Sequence, residues 1–128
     1  MTKKANTLSD RWKALDIFWN SFGWVAYEEN IVPDDVGNEY ITYEAKTGHF
    51  DDPILLTAHL WQGKVKYWDT LNAKVDEITA FIKGAYAMPI QGGRMIIRPG
   101  SPYVQDEQDG TKLGKMILYT AEFITAKY

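Results

Sequence analysis

Residues 8–22 carry a stripe of large apolar side chains at helical spacing, and this stripe constrains the fold more than any other feature. The stripe consists of Leu8, Trp12, Leu15, Phe18 or Trp19, and Phe22. Thr7 and Asp10 form a near capping box at its start, and Gly23 is suited to end the helix. A helix this apolar needs a substantial surface to pack on. We therefore expect it to cover a β-sheet.

A second helix shows the clearest periodicity in the chain. Asp69 or Thr70 is expected to cap it. Its apolar residues recur at steps of four, three, four and three, at Leu71, Val75, Ile78, Ile82 and Ala85.

Strand signals fill most of the remaining chain. Residues 40–45 and 54–61 predict a first antiparallel hairpin, and residues 86–90 and 94–98 a second one around Gly92-Gly93. Residues 113–124 predict a last strand that is either central or subunit-facing. Pro89 indicates that its strand lies at an edge or starts late, and residues 24–39 are expected to be irregular. The predicted order is α-β-β-α-β-β-β. It corresponds to an α+β fold, a mixed and mostly antiparallel sheet of about five strands with two helices packed on it.

The chain is predicted to be a single domain over residues 1–128, since no repeat or linker divides it. Residues 1–6 are polar and are expected to be disordered. Residues 99–112 are polar and contain two prolines and two glycines, so they predict a long mobile loop.

Composition excludes several functional classes. The formal charge of −3 argues against general nucleic-acid binding, and the absence of cysteine excludes disulfides and thiolate metal sites. No apolar run approaches the ~20 residues of a membrane span, so a soluble cytoplasmic product is expected. Aromatic residues make up 14% of the chain. Such residues fill cores and are enriched at protein interfaces, and both roles are open here.

The sequence contains no convincing catalytic or cofactor motif. His59 is expected on a sheet surface, and His49 lies near Asp51 and Asp52 in a turn that is more typical of a solvated loop than of a metal site. Gly92-Gly93 falls between two strands and lacks the helix N-terminus of a phosphate site. We therefore expect no enzyme activity, no cofactor and no metal.

The unusual residues of this chain instead resemble a family. Residues 14–23 (ALDIFWNSFG), 26–35 (AYEENIVPDD) and 40–44 (YITYE) look, in this order and spacing, like the tail-terminator proteins of long-tailed phages and prophages, also called tail-completion or head–tail joining proteins. The same pattern continues at Trp61, Trp68, Asp76-Glu77-Ile78, Gly92-Gly93 and residues 100–103. The segment at residues 94–112 matches only loosely.

The resemblance implies a ring of copies of this chain, usually six. Such a ring caps the tail tube, stops its polymerisation and meets the head connector, at the head-proximal end of a virion tail assembled in the bacterial cytoplasm. Its partners would be the tail-tube protein and the head-completion protein, with DNA passing through without specific binding and no membrane involved. The candidate interface residues are Tyr40, Trp61, Arg98, Tyr103, Gln105 and Asp106.

Other functions stay open at this point. The chain could be a tail-tube or neck adaptor subunit, or part of a phage-tail-like bacteriocin. It could also be an unrelated α/β module that binds a small molecule or a peptide in an aromatic pocket, and a hydrolase is a more distant alternative.

Overall fold

The computed structural model describes residues 7–46, 53–63 and 67–125. Two helices pack on one face of a six-stranded mixed sheet, which confirms the predicted α+β class with one strand more than expected. The elements are α1 (Leu8–Trp19), β1 (Val25–Glu28), β2 (Glu39–Tyr43), β3 (Ile54–Gln62), α2 (Asp69–Ile82), β4 (Tyr86–Ile90), β5 (Gly93–Asp109) and β6 (Lys112–Thr125). The strand order is β1-β2-β3-β6-β5-β4.

Helix α1 begins at the predicted capping box. The Asp10 amide donates to the Thr7 hydroxyl at 3.1 Å, and the Thr7 amide donates to the Asp10 carboxylate at 2.9 Å. The hydrogen bonds that the Thr7 amide and the Thr7 hydroxyl donate to the Asp10 carboxylate lower the pKa of Asp10. After Trp19 the chain continues as a short 3-10 helix, and Gly23 at φ +85° turns it into β1.

Strand β1 is the strand that the sequence did not predict, because residues 24–39 were expected to be irregular. It runs parallel to β2 at the edge of the sheet. The Asn20 side chain takes the place of a further strand: its Oδ1 accepts from the Ala26 amide at 2.9 Å, and its Nδ2 donates to the Ala26 carbonyl at 3.3 Å. The turn that follows also closes this edge, since the Ile31 amide donates to the Glu28 carbonyl.

Helix α2 lies where the sequence predicted it, but its first turn differs. Trp68 occupies the N-cap position without a side-chain hydrogen bond, and Asp69 is the first helical residue, so the predicted cap at Asp69 or Thr70 is wrong. Leu71, Ile78 and Ile82 are buried as expected, whereas Ala85 lies beyond the end of the helix and is exposed.

The β4–β5 hairpin forms around Gln91-Gly92, with Gly92 at φ +78°, and β4 is an edge strand as Pro89 indicated. Strand β5 continues well past this hairpin. After an irregularity between Pro99 and Val104 it pairs with β6 as far as Asp109 and Lys112. The prediction of a long loop over residues 99–112 is therefore wrong, because most of these residues form the far half of a long β5–β6 hairpin.

The core lies between the helices and one face of the sheet. Trp19 is completely buried against Tyr119, and its indole Nε1 donates to the Tyr119 hydroxyl at 3.2 Å. Phe18, Phe22 and Phe81 make edge-to-face or tilted ring contacts between α1 and α2. Burial raises the pKa of Tyr119 far above its usual value.

Candidate functional site: the helix-free face of the sheet

The second face of the sheet carries no helix in the described part of the chain. Side chains alternate along each strand, and the strand registers therefore fix which residues share this face. We call it the helix-free face. Its centre is formed by Tyr40 and Thr42 of β2, by Leu55, Thr57, His59 and Trp61 of β3, and by Gly114, Met116, Leu118 and Thr120 of β6.

An aromatic group occupies the end of this face near the β5–β6 turn. The Tyr40 ring packs edge-to-face on Tyr27, with centroids 6.3 Å apart. The Lys112 ammonium donates to the Tyr40 hydroxyl at 2.7 Å and lies 5.2 Å from its ring centroid. Tyr40 is only 6% exposed as a result. It therefore supports the sheet, with little surface left for a partner.

The Trp61 side chain is fixed by a hydrogen bond of its indole nitrogen and by contacts of its ring. Its indole Nε1 donates to the Thr42 hydroxyl at 3.3 Å, and its ring stacks parallel to the His59 imidazole with centroids 5.8 Å apart. The ring also lies against Gly114 of β6, where a Cβ would approach it to 2.7 Å. Trp61 is half-buried, so one part of the indole stays accessible.

His59 and Glu107 form a close side-chain contact on this face. The His59 Nδ1 and the Glu107 Oε1 lie 2.5 Å apart. Glu107 stands on β5 and His59 on β3, so the pair spans β6 at the point where Gly114 has no side chain. A histidine oriented by a carboxylate is one component of general acid–base catalysis, which also needs a substrate site beside it. Here Trp61 covers a face of the imidazole, and the contact ties β3 to β5.

The opposite part of the helix-free face is aliphatic and open. Leu55 is 59% exposed there, and Leu118 and Met116 are half-buried between it and the aromatic group. Val25 is 55% exposed at the other end of the face, where β1 pairs with Tyr40. The Arg98 guanidinium donates to the Glu122 carboxylate at 2.9 Å along one side. Exposed aliphatic residues on a sheet face are the surface type that marks association sites in soluble proteins.

The six predicted interface residues do not form one site. Four of them, Tyr40, Trp61, Arg98 and Gln105, lie on the helix-free face. Tyr40 pairs with Trp61, and Arg98 and Gln105 pair with Thr120 and Met116 of β6. Tyr103 lies on the other side, where its hydroxyl accepts from Thr79 of α2 at 3.1 Å, and burial raises the pKa of Tyr103. Asp106 pairs with the Lys115 ammonium on that side too.

Sequence reasoning missed Val25, Leu55, Glu107 and Gly114 as members of the site. Alternation along residues 54–61 identified the two faces of β3, but it could not show which one the helices leave open. His59 was placed on a sheet surface as predicted. His49, Asp51 and Asp52 lie outside the described residues.

A groove of about 560 Å³ opens on the helix side of the molecule, between α1 and β4. Ala14, Ile17, Met88 and Ile90 form its apolar walls, with Lys13 and Asp10 at its rim. Ile17 is 61% exposed. The molecule thus presents a second apolar surface, separate from the helix-free face.

Comparisons with known protein families, with curated protein sequences and with solved structures find no match. Within residues 7–46, 53–63 and 67–125, no group of three or more His, Cys, Asp or Glu side chains could hold a metal ion. Among the described helices, none is long and apolar enough to cross a membrane.

Proposed function

We propose that this protein is a structural subunit of the tail-terminator type, which assembles into a ring through contacts between its own copies. The observation that carries the proposal is the open aliphatic part of the helix-free face around Leu55, which is 59% exposed. Exposing such residues to water is unfavourable. Burying them against another protein stabilises the assembly by about 25 cal/mol per Å² of apolar surface. The sequence resemblance supplies the phage-tail context.

Two separate apolar surfaces suit a ring. A cyclic ring uses heterologous contacts, in which one surface of a subunit meets a different surface of the next. The helix-free face, with Leu55, and the α1–β4 groove, with Ile17, lie on different sides of the molecule. Contact between them would bury one helix-free face and one groove at every junction. In a closed ring, every subunit would then have both of its apolar surfaces covered.

The two outermost strands favour contact through faces over strand pairing. At the β1 edge, the Asn20 side chain already occupies both backbone groups of Ala26. At the β4 edge, Pro89 has no amide to donate. A subunit with such edges joins its neighbours by packing side chains.

The proposed setting is the head-proximal end of a phage tail, assembled in the bacterial cytoplasm, with the tail-tube protein and the head-completion protein as partners. The formal charge of −3 supports a passive path for DNA, since an acidic ring repels phosphate. We propose that the chain performs no catalysis in this role and needs no cofactor.

A second candidate rests on the α1–β4 groove. Its volume of about 560 Å³ and its apolar walls with two charged rim residues, Asp10 and Lys13, also fit a small-molecule or peptide site. A binding module of this kind would stay a monomer or dimer, and its ligand would contact Ile17 and Met88.

Native mass measurement combined with negative-stain imaging separates these functions. A terminator gives discrete rings, near six subunits, that bind only one end of isolated tail tubes. A tube or bacteriocin-tube subunit instead polymerises into filaments. A chain that forms neither rings nor filaments and ignores tail tubes would contradict the proposal and favour the binding module.

A further inference from the structure

Strand β5 has a free edge that the rest of the described sheet leaves uncovered. Strand β4 pairs with β5 only over residues 93–97, whereas β5 continues to Asp109. Among the described residues, no strand lies on the outer side of residues 104–109. Gln105, Asp106, Gln108 and Asp109 are exposed.

The hairpin register identifies the backbone groups that point outward. Asp109 and Lys112 face each other across a two-residue turn, and so they form a hydrogen-bonded pair. Glu107 and Gln105 then also bond to β6, because inward and outward groups alternate along a strand. The amides and carbonyls of Val104, Asp106 and Gln108 therefore point away from β6, and no backbone hydrogen bond to them occurs in the described chain.

This edge differs from the two outermost ones. Asn20 occupies the β1 edge, and Pro89 interrupts the β4 edge. Residues 104–109 contain no proline, and within the described parts of the chain no side chain substitutes for a neighbouring strand there. Among the residues that the structure describes, Val104, Asp106 and Gln108 each have a free amide and a free carbonyl on the outer side of β5. These groups are enough to align a short added strand.

A shallow groove runs along the free edge. It has a volume of about 280 Å³ and lies between the Trp68 side chain and residues 106–108. The Trp68 ring is held from behind by the Lys115 ammonium, 4.7 Å from its centroid. A strand added to β5 would thus have an aromatic side chain to pack on in addition to its backbone hydrogen bonds.

The charge of the edge selects the added strand. Asp106 and Asp109 are exposed along it, whereas the Glu107 carboxylate is turned inward across β6 to His59. The cation beside Asp106 is Lys115, which lies on the inner strand β6 and is only 8% exposed. A second copy pairing antiparallel through its own outward residues would bring Asp106 opposite Asp106 in the central register. Like charges directly opposite one another are destabilising, whereas opposite charges stabilise a strand pair.

We propose that residues 104–109 form a strand-addition site for an extended segment of a partner protein that carries basic side chains. The segment hydrogen-bonds to the outward groups of Val104, Asp106 and Gln108, and it packs on Trp68. The site is independent of the proposed ring, because it needs neither the helix-free face nor the α1–β4 groove.

The test uses the full chain and a blocked hexapeptide of alternating lysine and threonine. Amide hydrogen exchange is followed residue by residue. At about ten times the Kd, the peptide slows exchange of the Val104, Asp106 and Gln108 amides about tenfold, because it occupies the site most of the time. The Gln105 and Glu107 amides, which already bond to β6, change little. Glutamate–threonine peptide and a lysine–threonine peptide methylated on alternate backbone nitrogens are the controls, and both bind at least about tenfold more weakly.

A matched pair of variants checks that the edge itself binds the peptide. Gln108→Pro removes one outward amide without touching a bond to β6, and it weakens binding about tenfold. Gln108→Ala keeps the amide and binds like the wild type. Equal binding by Gln108→Pro and Gln108→Ala, or equal binding of the methylated peptide, overturns the proposal. The proposal is also overturned if the three outward amides exchange slowly in the protein without peptide and this protection disappears on dilution. A second copy of the chain would then occupy the edge. Because these readouts do not require a ring, failure of the ring proposal leaves them unchanged.

Discussion

The indole ring of Trp61 lies so close to the backbone of Gly114 that a Cβ at position 114 would stand 2.7 Å from its Cε3 and Cζ3 atoms. The same Cβ would lie 3.0 Å from Cγ of Glu107. The missing side chain of Gly114 is therefore the space in which Trp61 packs and across which Glu107 reaches His59. One glycine in the central strand thus organises the aromatic part of the helix-free face.

Gly114→Ala is expected to displace the Trp61 ring and to lower the free energy of unfolding by about 1–3 kcal/mol, the usual cost of overpacking. The measurement is urea unfolding of the variant. The same substitution in a Trp61→Ala background should cost at least about 1 kcal/mol less, because the clash has been removed. Equal costs in the two backgrounds would show that Trp61 does not set the requirement for glycine.

Asn20→Ala should lower stability by about 1–2 kcal/mol, since the Ala26 amide and carbonyl lose their partner. It should also make the protein more prone to association through β1, because an open strand edge is a pairing site. Urea unfolding and light scattering check the two effects. Wild-type stability and unchanged light scattering in Asn20→Ala would contradict the role assigned to this side chain.

Two buried tyrosines make the fold sensitive to alkali. Burial raises the pKa of Tyr43 well above its usual value, and the hydrogen bond that its hydroxyl donates to Asp16 at 2.7 Å adds to this effect. Burial also raises the pKa of Tyr119. Above about pH 10 the unfolded chain releases these two protons while the folded chain keeps them. Each tyrosine should therefore reduce the free energy of unfolding by about 1.4 kcal/mol per pH unit in that range, with no contribution to the slope below it.

Urea unfolding of the wild type and of Tyr43→Phe between pH 8 and about pH 11.5 measures this dependence. The variant should lose one tyrosine's share of the slope above about pH 10. Tyr67→Phe is the control, since Tyr67 is 74% exposed. A slope that is the same in Tyr43→Phe and in the wild type would contradict the assignment.

Local signals in the sequence predicted the elements whose patterns are complete within themselves. The Thr7 and Asp10 capping box, the Leu71-Ile78-Ile82 stripe and the alternation in β3 each depend on a few neighbouring residues. These elements were confirmed. The α+β class followed from their order.

The parts that were missed depend on distant residues. Strand β1 has only four residues, and its outer bonds go to Asn20, which local propensity does not reveal. Residues 105–109 of β5 read as a loop because both faces of the strand are polar there, and only the register with β6 shows them as a strand. The predicted interface residues fall on both faces of the sheet for the same reason, since nothing in the sequence shows which face the helices cover.

The association surface can be tested most directly with two charge substitutions at equally exposed apolar residues. Leu55, on the helix-free face, is 59% exposed, and Ile31, in the loop after β1, is 65% exposed. Native mass measurement of Leu55→Lys and Ile31→Lys at matched concentration is the experiment. We expect Ile31→Lys to keep the ring and Leu55→Lys to run as a single chain, because a lysine in a buried apolar contact leaves an unpaired charge. The same mass for the two variants would contradict the assignment of the helix-free face as the surface that builds the ring.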